Sequence, residues 1–132
     1  VHGARRHPEL QEVASCFGAI RADIEPHLVK EEQVLFPAIQ QLVSSPVAPT
    51  FGFGSIGNPV SAMLRDHEEL GALLLDLRSS TNDYTAPDDG CASYRALFDG
   101  LAQLEADTHL HVHKENNVLV PRVVLLEDCR LS

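Results

Sequence analysis

The sequence predicts an all-α protein, an up-down bundle of long helices. Apolar residues recur at steps of three and four along three long stretches, which is the spacing of one face of an α-helix. No stretch alternates apolar and polar residues as a half-buried strand does. Residues 44–58 and 79–90 are rich in Gly, Pro, Ser, Asn or Asp, and they separate the helical stretches as loops.

The first helix is predicted over about residues 8–43. Pro8 suits the first turn of a helix, where its missing N–H group would have no partner in any case. Four apolar residues follow at helical spacing and are expected to face the core: Val13, Phe17, Ile20 and Ile24.

The second helix is predicted over about residues 59–78. Asn58 is a favourable N-cap because its side chain can accept a hydrogen bond from a free backbone N–H group. Pro59 is a favourable first helical residue. The apolar stripe of this helix consists of Val60, Met63, Leu70, Leu74 and Leu77.

The third helix is predicted over about residues 91–126. Asp88 and Asp89 precede it, where negative charge interacts favourably with the helix dipole. Its apolar stripe includes Leu97, Leu101 and Leu104.

Three prolines lie inside these helical patterns: Pro26, Pro37 and Pro121. Each removes a backbone donor, and its ring clashes with the carbonyl group four residues earlier. We expect a kink at each proline, or a break in the helix near Pro37 and Pro121.

The composition limits the class of protein. A chain of 132 residues predicts one domain, spanning residues 1–132, and its formal charge of −9 argues against nucleic acid or an anionic membrane surface as a partner. No apolar run reaches the roughly 18 residues of a membrane helix, and no export leader is expected. Three Cys without a Cys-x-x-Cys pair suit a reducing cytoplasm.

Each apolar stripe continues in the same rhythm through polar residues. The first helix reaches a His and a Glu, the second a His, and the third a His and a Glu. Five polar side chains are therefore predicted to face one bundle interior: His27, Glu31, His67, His111 and Glu115. Buried carboxylates are unfavourable unless they are paired or bind a metal, so these five residues are predicted to be metal ligands.

The spacing His-x-x-x-Glu occurs twice, at His27/Glu31 and at His111/Glu115. Residues four apart stack on one helix face, so an imidazole can bind one metal while the carboxylate reaches a second. Imidazole and carboxylate ligands without thiolate suit Fe, Mn or Zn. Ferritin-like bundles build di-metal sites from inward carboxylates and His on facing helices.

Each of these residues by itself has a plainer interpretation. His67 alone would be an ordinary core or boundary His, Glu31 a solvated neighbour of Glu32, and His111 part of an exposed polar run. Two His-x-x-x-Glu pairs and a third His in register favour the metal site.

His109 and His113 are the rival pair on the third helix. They lie four residues apart on a different face, beside Glu105 and Asn116. We expect this face to meet solvent or to lie outside the direct ligands. No internal repeat of the sequence is expected.

Four runs of this sequence resemble the hemerythrin-like domains, and within them the RIC (repair of iron centres) family. These runs are HLVKEEQVLFP at 27–37, LRDHEELG at 64–71, CASYRAL at 91–97 and HVHKENNVL at 111–119. The ENNVL portion is the most specific, and the resemblance covers essentially the whole chain.

The resemblance implies a four-helix bundle with two non-haem irons. His27 and His67 would be terminal iron ligands, His111 a ligand mainly of the partner iron, and Glu31 and Glu115 the bridging carboxylates. It implies repair of iron–sulfur clusters damaged by nitric oxide or oxidants, through iron donation or nitric oxide reduction. The implied partners are a diatomic ligand and damaged iron–sulfur proteins in the cytoplasm.

Two departures from the family pattern stand out. Val120 replaces a Phe, a change expected to affect packing only. The family's first helix carries another His ligand and precedes a Val-His step resembling Val1-His2, so that helix is expected to be mostly missing here. His2 is expected to lie too far along to replace that ligand. Either the sequence is a fragment of a longer chain, or a second copy of the chain, in a homodimer, covers the open face.

Two other functions remain open at this point. One is a hemerythrin-like module that binds or senses oxygen or nitric oxide without turnover. The other is a structural role, with a metal-free, hydrogen-bonded His layer.

Overall fold

The computed structural model describes residues 7–131, which form three long helical rods joined by two loops and contain no strand. Rod 1 consists of α1 (Glu9–Lys30), a π-helical turn π1 (Glu31–Leu35) and α2 (Phe36–Ser44). Rod 2 is α3 (Gly57–Ser80), and rod 3 consists of α4 (Ala92–Lys114), a second π-helical turn π2 (Glu115–Leu119) and α5 (Val120–Leu131). The predicted all-α class and the three long helices are confirmed.

The start of α3 is capped differently from the prediction. The helix begins at Gly57, so Asn58 lies inside the first turn and its side-chain nitrogen donates to the carbonyl oxygen of Phe53 at 2.8 Å. The backbone N–H of Ile56 donates instead to Oε2 of Glu127 at 2.7 Å. This contact with the residue before the helix comes from the far end of the chain, so local sequence could not reveal it.

The prolines do not break the rods. Pro26 lies within α1, which stays α-helical through it. Pro37 and Pro121 each follow a π-helical turn, and helix continues beyond both. The expected breaks are wrong because the chain widens by one hydrogen-bond step at these places and remains helical.

Two clusters of buried apolar side chains form the core. The lower cluster joins α1, α3 and α4 and contains Val13, Ile20, Leu70, Leu74, Leu77, Tyr94, Phe98 and Leu101. The upper cluster is centred on α2, α3 and α5 and contains Leu35, Ala38, Leu42, Ile56, Val60, Met63 and Val123. Seven more buried residues among residues 7–131 are polar, and four of them lie together and are called the donor layer: His27, Glu31, His67 and Glu115.

Rods 1 and 3 pack together at the level of α2 and α5, and an apolar surface groove runs between α1 and α4. The two helices are still in contact beside this groove, where the Tyr94 hydroxyl group donates to Oε1 of Glu9 at 2.9 Å. Phe17 and Leu97, predicted to be in the core, line this groove and are 42% and 46% exposed. No helix of the described chain fills the groove, which is why these apolar positions remain open.

Glu105 is buried, contrary to the expectation that its face meets solvent. Tyr84 donates its hydroxyl hydrogen to Oε1 of Glu105 at 2.8 Å, and Nε of Arg78 donates to the same oxygen at 3.1 Å. These bonds anchor the loop after α3, where Asn82, Asp83 and Tyr84 adopt φ angles of 50°, 57° and 61°. Three consecutive left-handed residues are unfavourable, so the loop depends on its contacts with α4.

Within residues 7–131, no helix is both long and apolar enough to cross a bilayer.

Candidate metal centre

The donor layer brings four ligand atoms together from three rods. One nitrogen or oxygen from each of its residues lies within 4.8 Å of the other three. Nε2 of His27 is 2.7 Å from Oε1 of Glu31, and Nε2 of His67 is 2.8 Å from Oε1 of Glu115. Two imidazoles and two carboxylates around one point form a donor set that suits a transition-metal cation.

Two buried atoms of this layer have no hydrogen-bond partner of adequate geometry, namely Nε2 of His27 and Oε1 of Glu31. They lie 2.7 Å apart, so the angle between the two groups, and not their distance, prevents a hydrogen bond. Buried polar atoms left in this way are unfavourable by about 1–3 kcal/mol each. A cation at the centre of the layer would satisfy both, so the residues present fit a metal ion.

The two carboxylates each occupy the first position of a π-helical turn. The N–H of Phe36 donates to the carbonyl oxygen of Glu31, and the N–H of Val120 donates to that of Glu115. Each is a bond over five residues, directly before a proline that has no N–H to donate. Both Glu residues are therefore held by the same local backbone geometry.

This common geometry follows from an internal repeat that the helical spacing alone did not reveal. The segments HLVKEEQVLFP (27–37) and HVHKENNVLVP (111–121) share His, Lys, Glu, Val, Leu and Pro at the same positions. The expectation of no repeat is wrong. Aligning the two His-x-x-x-Glu pairs and reading on to the next proline would have found it.

His111 was predicted to face the bundle interior, but it lies exposed at the rim of the donor layer. Its Nε2 is 3.1 Å from Oε1 of Glu115 and 3.7 Å from Oε1 of Glu31, while 48% of its side chain is exposed. It can therefore join a metal ligand set from the open side of the layer. His2, the other candidate weighed from the sequence, lies outside the described residues.

The outer nitrogen of each buried imidazole also has a partner. Nδ1 of His27 is 3.3 Å from Oδ2 of Asp66, which in turn is 3.6 Å from Nζ of Lys30. Nδ1 of His67 is 2.7 Å from Oδ1 of Asn116. Sequence reasoning placed the face with Asn116 either in solvent or behind the direct ligands, and it did not single out Asp66. The available signal was that Asn116 directly follows Glu115 and that Asp66 directly precedes His67.

A sequence profile described as the hemerythrin HHE cation binding domain matches residues 2–123 of the chain. The chain belongs to this family.

Three curated relatives of this hemerythrin HHE domain are each named iron-sulfur cluster repair protein YtfE. The one from Dickeya chrysanthemi (strain Ech1591) is 39% identical over 106 residues, covering 80% of this chain and 43% of that protein. The one from Cronobacter sakazakii (strain ATCC BAA-894) is 36% identical over 112 residues, covering 85% and 47%. The one from Escherichia coli O1:K1 / APEC is 36% identical over 106 residues, covering 80% and 44%. The chain thus spans less than half the length of these relatives.

The electrostatics of the HHE donor layer favour a bound cation. The carboxylates of Glu115 and Glu31 raise the pKa of His27 to about 10, against the opposing effect of burial. Burial also raises the pKa of Glu31. Burial acts in the same direction on Glu115, but its contacts with His27 and His67 outweigh it and hold the pKa of Glu115 below its ordinary value. A proton on His27 balances the buried carboxylate, and a metal cation can take the place of that proton.

His109 and His113, the rival pair in this HHE domain, are exposed as expected. Nε2 of His109 lies 3.6 Å from Oε2 of Glu105, and Nδ1 of His113 lies 3.1 Å from the side-chain nitrogen of Asn117. Neither His enters the donor layer.

Proposed function

We propose that residues 1–132 form a di-iron domain in which His27, Glu31, His67, His111 and Glu115 bind two iron ions. The observation that carries this proposal is that Nε2 of His27 and Oε1 of Glu31 have no hydrogen-bond partner of adequate geometry within a buried layer of four donors. Glu31 and Glu115 lie between the imidazoles of different rods, which suits carboxylates that bridge two ions.

We propose further that the domain serves the repair of iron–sulfur clusters damaged by nitric oxide or oxidants. The printed names of the relatives support this role. Its partners would be a diatomic ligand and damaged iron–sulfur proteins, and its place of action the cytoplasm. Iron bound here would supply an exchangeable metal ion or a site for nitric oxide reduction.

The chain's own residues prepare the site for a small neutral ligand. A cavity of about 160 Å³ between α1 and α3 reaches His27 and Glu31 and is walled by Val34, Leu35 and Met63 among others. The open surface of this cavity is mostly apolar, Lys30 and Asp66 also line it, and its size leaves room for a diatomic molecule. Glu31 and Glu115 are themselves 3% and 5% exposed, so a ligand beside them meets a lower dielectric than it would in water.

Metal analysis after anaerobic purification tests the centre. We expect about two iron atoms per chain and visible absorption from the iron. Glu31→Ala and Glu115→Ala should each lose most of the iron, whereas Glu32→Ala, a substitution of an exposed neighbour, should retain it. Iron below about half an atom per chain, unchanged in both Glu variants, would contradict the proposal.

The same apolar cavity also suits a module that binds oxygen or nitric oxide without turnover. Reactivation of a nitric oxide-damaged iron–sulfur enzyme by the iron-loaded chain separates the two functions. Recovery of activity supports repair. Reversible gas binding without recovery supports the binding module.

We also propose that a second copy of the chain covers the groove between α1 and α4. Its lining is apolar and includes the exposed side chains of Phe17 and Leu97. Sedimentation velocity should show a dimer that Phe17→Glu dissociates. A monomer at all concentrations would contradict this assembly.

A further inference from the structure

His67 is the donor whose two ring nitrogens both meet residues of the same helical turn. Nε2 is 2.8 Å from Oε1 of Glu115, and Nδ1 is 2.7 Å from Oδ1 of Asn116. Two consecutive residues of rod 3 therefore hold opposite sides of one imidazole. In a regular α-helix consecutive side chains diverge by about 100°, but the pair here opens the π2 turn, where the backbone is wider.

The side-chain oxygen of Asn116 determines which ring nitrogen carries the proton. A carboxamide oxygen can only accept, so Nδ1 of His67 must donate across the 2.7 Å contact. A neutral imidazole has one N–H group, so Nε2 then carries the free electron pair, and a cation placed between Nε2 and the Glu115 carboxylate would bind both.

Nδ1 of His27 has a different kind of partner. It lies 3.3 Å from a carboxylate oxygen of Asp66, whose side chain is 27% exposed. Glu32, which occupies the position of Asn116 in the first copy of the internal repeat, is exposed. The repeat thus differs at this position, where Asn116 alone turns inward, and His27 takes its partner from α3.

We propose that Asn116 is a positioning residue of the metal centre: its side-chain oxygen holds the Nδ1 proton of His67 and thereby directs Nε2 of that ring toward the metal. Its neutrality orients the ring without adding a third carboxylate beside Glu31 and Glu115. This inference rests on the proposed metal centre. Partners of this kind around metal-binding His contribute about 10–100-fold to metal affinity in other proteins.

Competition titrations with a chromophoric chelator test this role in the full chain, using Fe²⁺ and Zn²⁺ as the metals. Asn116→Ala should weaken metal binding by about 10–100-fold. Asn116→Asp keeps the size and the acceptor, so it should bind metal at least as tightly as the parent chain. Asn117→Ala is the matched control, because Asn117 is exposed and contacts His113 instead. It should leave the affinity unchanged.

Nitrogen-15 NMR of the zinc-loaded chain gives a readout that general loss of structure would not imitate. The Nδ1–H signal of His67 should be protected from exchange with water in the parent chain and in Asn117→Ala. In Asn116→Ala it should exchange rapidly while Nε2 remains bound to zinc.

An Asn116→Ala affinity within about twofold of the parent, or an equal loss in Asn117→Ala, would overturn the assignment. If Asn116→Ala does not fold, Asn116→Asp decides: binding more than about tenfold weaker than the parent contradicts the role. A parent chain that binds neither metal would instead refute the metal centre itself, so the two failures are distinguishable.

Discussion

Glu105 connects three parts of the chain through one carboxylate. It is 5% exposed on α4, and it accepts hydrogen bonds from Tyr84 in the loop after rod 2 and from Arg78 on α3. Helical spacing placed it beside exposed His109 because spacing describes one helix at a time. Its burial depends on partners that come from 21 and 27 residues away.

We expect Glu105→Gln to destabilise the fold at neutral pH and to have little effect in acid. Contact with Arg78 lowers the pKa of Glu105, and burial opposes this shift. A carboxyl whose pKa is lower in the folded state contributes stability above its unfolded pKa of about 4.5, and this contribution is lost as pH falls through the folded pKa. Urea unfolding of both chains from pH 7 to pH 3 measures the difference.

Glu69→Gln provides the comparison, since Glu69 is exposed on α3. Its free energy of unfolding should follow that of the parent chain at every pH. A Glu105→Gln deficit that stays constant down to pH 3 would show that the carboxylate charge is not its source.

The residues of the donor layer were predictable because a polar residue that interrupts an apolar stripe is conspicuous. His27, Glu31, His67 and Glu115 continue their stripes and lie together in the structure. Asn116 was not predictable in the same way. Its inward position depends on a π-helical turn, and helical spacing assumes a uniform α-helix.

At the scale of the element, the π-helical turns explain why regular α-helical spacing does not give the direction of every side chain along rods 1 and 3. Each turn begins at a buried Glu and ends four residues later. The next residue donates its N–H group to the carbonyl oxygen of that Glu, and a proline comes directly after it. The sequence predicted that the prolines would disturb the helices, but it did not predict that the disturbance would be a π-helical turn. The outcome was a widened turn because neighbouring N–H groups could still find acceptors.

We expect Pro121→Ala to stabilise the metal-free chain and to weaken its metal binding. The substitution restores an N–H group that can bond to the carbonyl four residues earlier, which favours a regular α-helix. A regular helix would turn Glu115 and Asn116 away from His67. Metal affinity should fall by roughly tenfold or more, measured by chelator competition.

Pro26→Ala serves as the control for this change. Pro26 is exposed and lies in a part of α1 that is already α-helical. Its replacement should raise the free energy of unfolding by up to about 3 kcal/mol while metal affinity stays constant. Equal metal affinity in Pro121→Ala and Pro26→Ala would refute the link between the π-helical turn and the site.

At the scale of the molecule, the order of three long helices and two loops was predicted because periodicity and turn residues act over short distances. The groove was not predictable from the stripes of α1 and α4, since a stripe shows which residues are apolar and not which neighbour is present. Phe17 and Leu97 therefore belong to the apolar stripes that the sequence predicts, yet both are exposed.

The free energies of unfolding of two Leu→Ala variants should separate core from groove. Leu74 is 1% exposed in the lower cluster, so Leu74→Ala should cost about 2–5 kcal/mol. Leu97 is 46% exposed, so Leu97→Ala should cost less than about 1 kcal/mol at low protein concentration. A cost for Leu97→Ala equal to that of Leu74→Ala in dilute protein would show that the groove is filled within one chain.

Removal of metal should lower the melting temperature of the whole domain. A metal that binds only the folded state, at a concentration about a hundred times its dissociation constant, stabilises it by about 2.7 kcal/mol. Calorimetry with and without a chelator measures the shift. A sample that contains no metal and whose melting temperature is insensitive to the chelator would favour the structural, metal-free role of the His layer.

The groove between α1 and α4 is closed at its outer end by a contact between the two helices. The hydroxyl group of Tyr94 on α4 donates to Oε1 of Glu9 on α1 at 2.9 Å, and α2 packs against α5 beyond the other end of the groove. The contact between His27 and Glu115, at 3.6 Å, and that between His111 and Glu31, at 3.7 Å, both cross from rod 1 to rod 3. Rods 1 and 3 are therefore tied together on both sides of the groove, so the spacings across the donor layer are set by contacts within one chain, whatever covers the groove.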